Sequence, residues 1–465
     1  MVGCVSNENE KNKDLPTRAG DKGLGRFDCD SNKFTSRSMF LKKVILTAVL
    51  ATGVPTLAIG FDFGFLGSDY KKVSETTCAT NGRLLSGAEL IKTVDSGYAL
   101  SVHTQIDAEL IKITGTGQPG WRSVWEKPGF QQVAQGLSQL NNGSYLLLGR
   151  SDFPGQAEET WGDSIESHSL TRISYPLILP FNKDGGQGAY RIHSAPKGIG
   201  RAHLSRAIQV GDGVVFFGLK RVPLSEDRGG NYSPWIFKIN SAGAMVWEYL
   251  IQSDGDELIK DVNEVYGSFS KPVVDGGGNI IVATQVARLR EIKGVGRKGS
   301  TELAGENPRL LVVKLNSDGN EIARYRDYQS GGGILALNSN EIHVFASAGV
   351  ANQSRVVHVV LSRELRVIRE SGIAIGDFYP RAVVTNSRSG GFHMFGVAKD
   401  AWGGGGSATL VYVDAKGAIK SKTSLGRGTW PSDMVEGTEL GEVAVIYTRS
   451  EKNSGIFFSR YKVSE

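Results

Sequence analysis

Pro234-Trp235-Ile236-Phe237-Lys238-Ile239-Asn240-Ser241-Ala242-Gly243 is a short apolar strand closed by a polar turn, with glycine where the chain needs a positive φ. Leu311-Val312-Val313-Lys314-Leu315-Asn316-Ser317-Asp318-Gly319 and Thr409-Leu410-Val411-Tyr412-Val413-Asp414-Ala415-Lys416-Gly417 repeat the same grammar. A recurring unit decides architecture before any single residue does, because each copy buries its faces only against its neighbours.

Ahead of these strands stands another apolar strand, and it recurs seven times. It is Gly97-Tyr98-Ala99-Leu100, then Ser144-Tyr145-Leu146-Leu147-Leu148-Gly149, Val214-Val215-Phe216-Phe217-Gly218 and Asn279-Ile280-Ile281-Val282-Ala283. Glu341-Ile342-His343-Val344-Phe345, Gly391-Phe392-His393-Met394-Phe395-Gly396 and Glu442-Val443-Ala444-Val445-Ile446-Tyr447 complete the series. From Tyr70 onward apolar runs alternate with Gly and Asn/Asp/Ser turns, and no long amphipathic helix competes with them. Val124-Trp125-Glu126-Lys127 and Val246-Trp247-Glu248-Tyr249 read as matching fourth strands. The expected fold is all-β: a seven-bladed β-propeller of four-stranded antiparallel blades over 62–465. The last unit ends after its third strand, Ile456–Tyr461, so a strand from the Tyr70–Leu85 segment is expected to complete it, close the ring and cover its edges.

Asp275-Gly276-Gly277-Gly278-Asn279-Ile280, followed by Val313-Lys314-Leu315-Asn316-Ser317-Asp318-Gly319, resembles the sheet repeat of bacterial secreted β-propellers. The resemblance spans about residues 70 to 465 and implies a propeller outside the cytoplasm. The fifth unit departs from it, with Arg363-Glu364 where the turn glycine should stand.

Composition fits a soluble globular chain of 465 residues: 40% hydrophobic, 22% charged, and 60 glycines against 14 prolines, the balance of a protein rich in tight turns. The formal charge of +5 is uneven: residues 1–58 carry nine Lys/Arg against six Asp/Glu, leaving 44 against 42 elsewhere. The repeats are therefore nearly neutral, which argues against a nucleic-acid footprint. Cys4, Cys29 and Cys78 are too few and scattered for a disulfide framework or a zinc knuckle.

Residues 1–38 are polar and aperiodic, the composition of a disordered extension. Residues 39–61 begin Met39-Phe40-Leu41-Lys42-Lys43 and continue as an uncharged apolar run from Val44, with Thr56-Leu57-Ala58 as a small-residue exit. This is the layout of an apolar helix serving as a signal peptide, if Met39 starts the chain, or as a membrane anchor, if Met1 does. Either carries the repeats out of the cytoplasm, to a periplasmic, extracellular or inner-membrane-anchored location. A buried core helix is the remaining reading, weakened by Pro55.

In a four-stranded meander, the loop from second to third strand and the link between blades leave the ring on the same face. Long segments at about Phe153–Ser169, Arg221–Ser233, Ala287–Pro308 and Lys399–Ser407 all fall in the first class, so they are expected to decorate one face as loops. Innermost strands and their approaches offer His203, Arg206, Lys271, Tyr379, Arg381, Trp430 and Asp433 to the channel mouth, a set suited to an acidic or sugar-like ligand or a partner's hot spot. Catalytic and metal motifs are absent from the sequence: there is no Gly-x-Ser-x-Gly elbow, Walker loop or His-Glu-x-x-His. Asp254, Asp256, Glu257 and Asp261 lack the spacing of a calcium loop, and Asn316, Asp318 and Asn320 read as hairpin-turn residues. His343, His358 and His393 lie inside strands, where a structural role is expected. No cofactor is expected. The leading expectation is a monomeric exported binding module for a protein or glycan partner, with a periplasmic immunity or assembly factor as a specific version. The alternative is a hydrolase or lyase with a pocket at the channel mouth.

Overall fold

The computed structural model describes residues 70–463 apart from the intervals 80–88, 104–107, 126–130, 155–171, 189–190, 193–201, 223–230, 252–269, 294–300, 328–329, 339–340, 349–354, 400–405 and 451–454. The polar extension (1–38), the apolar segment (39–61) and the acidic cluster at Asp254–Asp261 lie outside the described residues.

Twenty-eight strands form seven four-stranded antiparallel sheets. Strand β1 (Tyr70–Ala79) comes first. Blade 1 follows as β2 (Glu89–Lys92), β3 (Tyr98–His103), β4 (Ala108–Ile113) and β5 (Pro119–Trp125), and blade 2 as β6 (Gln131–Gln139), β7 (Tyr145–Pro154), β8 (Arg172–Phe181) and β9 (Arg191–Ile192). Blade 3 is β10 (Ala202–Val210), β11 (Gly213–Val222), β12 (Asn231–Ile239) and β13 (Met245–Leu250). Blade 4 is β14 (Val273–Val274), β15 (Ile280–Lys293), β16 (Thr301–Leu315) and β17 (Glu321–Asp327). Blade 5 is β18 (Ser330–Asn338), β19 (Glu341–Ala348), β20 (Arg355–Leu361) and β21 (Val367–Ile373). Blade 6 is β22 (Phe378–Thr385), β23 (Phe392–Lys399), β24 (Gly406–Val413) and β25 (Ile419–Arg427). Blade 7 joins β26 (Thr429–Glu436), β27 (Glu442–Arg449) and β28 (Gly455–Val463) to β1, which lies antiparallel along β28 from Tyr70↔Val463 to Ala79↔Ile456.

Central strands read as unbroken apolar runs because both of their faces are covered, one by each neighbouring blade. In β27, Val443, Val445 and Tyr447 pack with Phe395 and Leu410 of blade 6, while Ala444 and Ile446 pack with Leu90, Tyr98 and Leu100 of blade 1. A buried apolar cluster of this kind sits at each of the seven junctions, blade 7 against blade 1 included. Each fully buried side chain contributes about 1.5–3 kcal/mol, so a blade gains most of its stability from its neighbours.

The turn from third to fourth strand is built the same way in blades 1 to 6. Its first residue offers a side-chain oxygen to the amide four positions on, Thr114 to Gln118 at 3.0 Å and Asn240 to Ala244 at 2.9 Å in blades 1 and 3. In the other four blades it serves the amide two positions on as well: Asn182 to Asp184 and Gly186 at 2.9 and 2.7 Å, Asn316 to Asp318 and Asn320 at 3.1 and 2.9 Å, and Asp414 to Lys416 and Ala418 at 2.9 Å each. Asn316, Asp318 and Asn320 are thus turn residues. Blade 5 keeps the turn without glycine: Ser362 accepts from Glu364 and Arg366, and Leu365 takes the left-handed position at φ 60°. The glycine's counterpart is therefore Leu365, not Arg363-Glu364, and its side chain is buried in the cluster between blades 4 and 5.

The outer strands of blades 1 and 3 stitch each of them to the next blade's turn. A Cβ on Gly319 would lie 2.5 Å from Trp247 Cδ2, and Trp247 Nε1 donates to Ser317 O at 3.0 Å. Trp121 occupies the same place over Gly185, whose added Cβ would meet it at 2.7 Å. The residue matching Trp247 in blade 1 is thus Trp121, four positions past its turn glycine, and the alignment of Val124-Trp125 with Val246-Trp247 is corrected accordingly.

The four segments expected as loops are partly strand. Pairing runs to Pro154↔Arg172, Val222↔Asn231, Lys399↔Gly406 and, farthest, Lys293↔Thr301. Most of Ala287–Pro308 is a two-stranded ribbon that continues β15 and β16 beyond the blade, with a register shift between Val286 and Arg288.

Candidate functional site: a charged layer in the channel

Innermost strands are irregular in a repeated way. β6, β10, β22 and β26 each carry a register shift, between Ala134 and Gly136, Leu204 and Arg206, Pro380 and Ala382, and Pro431 and Asp433. A bulge of this kind re-aims the side chain that follows it. The residue after each shift sits opposite the fourth residue of the neighbouring apolar run: Gly136↔Leu148, Arg206↔Phe217, Ala382↔Phe395 and Asp433↔Ile446. Blade 1 places Glu89 at that level, opposite Ser101, and blade 5 places Ile334 there, opposite Phe345. Continuing the Val273↔Ile281 register backward puts Lys271 of blade 4 opposite Ala283. One repeat position therefore supplies two acids and two bases to a single layer, from blades 1, 3, 4 and 7.

These four side chains find one another. Glu89 Oε2 lies 2.9 Å from Arg206 Nη1 and accepts from the Leu137 amide of blade 2 at 2.6 Å. Arg206 Nη1 also donates to Ser205 O at 2.8 Å. That carbonyl would lie 2.0 Å from a Cβ on Gly136, so the glycine of blade 2 is what lets the bulge of blade 3 come close. On the other side, Lys271 Nζ lies 2.6 Å from Asp433 Oδ2 and donates to Leu90 O at 2.9 Å. Asp433 accepts from the Leu90 amide through Oδ2 and from its own neighbour Met434 through Oδ1, both at 2.8 Å. Blade 4 is three blades from both 1 and 7, so Lys271 reaches them across the channel.

Burial sets the electrostatics. Glu89 is 3% exposed, and desolvation pushes its carboxyl up to about 7; Arg206 and Lys271 pull it down and the Asp433 charge adds to the rise. A carboxyl near neutrality could serve in proton transfer, but Glu89 is sealed from solvent and its Oε2 is committed to Leu137 and Arg206. Asp433 is likewise engaged on both oxygens. Among the described residues no group of three or more His, Cys, Asp or Glu could hold a metal ion.

The layer gathers three of the seven residues singled out from sequence, Arg206, Lys271 and Asp433, and adds Glu89, which the sequence reading missed. Tyr379 and Trp430 stand three residues before the layer position of their strands, and Arg381 occupies the bulge itself. Arg381 is exposed and Trp430 is 49% exposed, so both lie on the surface rather than in the layer. His203 pairs with Leu219 through its backbone, and its side chain lies outside the described residues.

The strand histidines are structural among the described contacts. His343 Nδ1 and His358 Nε2 are 2.9 Å apart, and His393 bonds Tyr70 Oη at 2.7 Å and Asn386 Nδ2 at 3.0 Å. Burial lowers His343 and His393 to about 4 and His358 to about 3, which keeps all three neutral.

No family model matches the chain, and no curated protein matches it in sequence. Among solved structures it is similar to Drosophila Plexin A in complex with Semaphorin 1b, at 8% identity and TM-score 0.43 over 84% of this chain and 86% of that one. It is also similar to BBS1N in complex with ARL6DN, at 8% identity and TM-score 0.44 over 85% and 97%, and to the Dos1 propeller, at 9% and 0.44 over 81% and 78%. The seven-bladed fold rests on this chain's own sheet order and junction cores.

Proposed function

We propose that this propeller is a binding module that engages a protein partner through the ring end from which the second-to-third-strand connections leave. The observation that carries the reading is the ribbon: β16 loses β17 at Leu310↔Asp327, yet its pairing with β15 goes on from Val286↔Arg309 to Lys293↔Thr301. At ~3.3 Å per residue this projects about 23 Å past the blade, enough to anchor a standard interface of about 800 Å² per partner. Among the described residues the ribbon pairs only along its own ladder, leaving two strand edges of a kind that proteins seldom leave open without use. The two acids of the charged layer are engaged, among the described residues, by its own bases, which favours binding over catalysis.

In the finer form of the proposal, residues 39–61 export or anchor the module, strand β1 clasps the ring from outside, and the partner's active site is obstructed by the loop-bearing face, as in an immunity or assembly factor. Replacing 287–308 by a two-residue turn between Val286 and Arg309 tests the core of the reading. The shortened chain is expected to keep its circular dichroism and melting temperature and to lose the partner that co-purifies stoichiometrically with the intact one. Retention of that complex with the ribbon gone would overturn it.

A further inference from the structure

The geometry points to the Glu89, Arg206, Lys271 and Asp433 layer as an inner latch of the ring: it ties blade 4 across the channel to the seam where blade 1 meets blade 7. At that seam the chain must hold together the first complete blade and the one built from its last strands. Outside, the seam has the apolar cluster of Leu90, Tyr98 and Leu100 with Ala444 and Ile446. Inside, β2 is only four residues long, and its Leu90 amide and carbonyl are both taken by the latch: the amide by Asp433, the carbonyl by Lys271. Asp433 also holds the amide of Met434 in β26. One lysine therefore neutralises the carboxylate that fixes both innermost strands of the seam, and it comes from the opposite side of the ring. Blades 5 and 6, with Ile334 and Ala382 at this level, bring no charge to the layer.

Such a latch makes opening at the seam separable from unfolding of the ring. Removing the lysine leaves a buried carboxylate without its counter-charge, so the strands it fixes should loosen before the other junctions do. Amide hydrogen exchange on the intact protein reads this directly. In Lys271→Met, exchange at Leu90 and Met434 is expected to rise at least tenfold while the β23–β24 ladder of blade 6 stays within twofold of wild type. Asp433→Asn, which keeps an acceptor oxygen but no charge, is expected to loosen the same two amides, and the double variant to exceed neither single change, because both break one interaction. Unchanged protection at Leu90 and Met434 in Lys271→Met, an equal rise in blade 6, or additive effects in the double variant would each overturn the latch.

Discussion

Leu365 sits where five other blades have glycine, at φ 60° in the left-handed region that costs a residue with a Cβ roughly 1–2 kcal/mol. It is kept there by burial: the side chain is 4% exposed between blades 4 and 5. Large-to-small changes at such sites cost about 2–5 kcal/mol, so packing outweighs strain. Leu365→Gly is expected to lower stability by about 1–3 kcal/mol in urea unfolding, although it restores the turn's usual residue; a gain in stability would mean that strain dominates. Glu89 is the second residue whose environment overrides its type. With its carboxyl raised from an ordinary 4.5 to about 7, the folded state binds more protons than the unfolded one across that window. The stabilisation is present below about pH 4.5 and is lost as pH rises through about 7. The buried histidines act in the opposite sense, since their lowered values supply stability above about 6.5 that is lost as pH falls toward 4. Comparison with Glu89→Gln separates the two: wild type is expected to lose ground to the variant steadily between pH 5 and 7.5 in melting temperature, and parallel profiles would refute the assignment. Neither residue was legible in the sequence. Glu89 precedes a two-residue apolar step in a very short strand, and its partners lie 117, 182 and 344 positions away, distances that only ring geometry collapses.

Strands were legible where both faces are buried, because an apolar run such as Val443–Tyr447 admits no other placement in a sheet stacked between sheets. Turns were legible because an Asn or Asp followed by glycine three positions on has one economical hydrogen-bond pattern. The ribbon was not: Gly294, Gly296, Gly299 and Pro308 are breaker residues, and the charges around them imitate a solvated loop, yet the two strands of one hairpin support each other as far as Lys293. The match of Val124-Trp125 to Val246-Trp247 failed for a related reason, since spacing from the turn glycine, not the local Val-Trp pair, decides which outer residue meets the next blade. β1 tests the element scale most sharply. It covers the edge of β28, its Tyr70 bonds His393 of blade 6, and Thr76 donates to Gly117 O of blade 1 at 2.6 Å, so one strand touches both neighbours of blade 7. A chain beginning at residue 80 would expose β28 and lose all three. Its melting temperature is expected to fall by about 10 °C, several kcal/mol at the usual ~2 °C per kcal/mol for a large domain, with loss of monodispersity in size-exclusion chromatography. An unchanged melting curve would leave β1 as mere decoration.

At the scale of the whole molecule, the repeats are close to electroneutral, with 44 Lys/Arg against 42 Asp/Glu after residue 58, so the proposed recognition would rest on shape and local chemistry more than on long-range attraction. The proposed export would ask a further property of such a chain, namely indifference to an oxidising compartment. Among the described residues Cys78 is the free cysteine, in β1 and partly buried against the junction of blades 7 and 1. Burial pushes its thiol up to about 12, so almost none is thiolate at neutral pH, and thiolate is the form that oxidises or exchanges. With Cys78 held as the thiol, the described part of the propeller offers an oxidising compartment no ready thiolate, and under the proposed export the apolar segment 39–61 would set the location. Two measurements follow from that separation. Cys78 of the folded protein, read by peptide mapping, is expected to resist alkylation at pH 8 until the chain is denatured, with identical melting curves in reducing and oxidising buffer. A reporter that matures only outside the cytoplasm, fused after Glu465, is expected to be active when residues 39–61 are present and silent when they are deleted. Activity without that segment would break the proposed link between the sequence's apolar run and the propeller's destination, while rapid alkylation of Cys78 in the native protein would break the argument that the fold tolerates the journey.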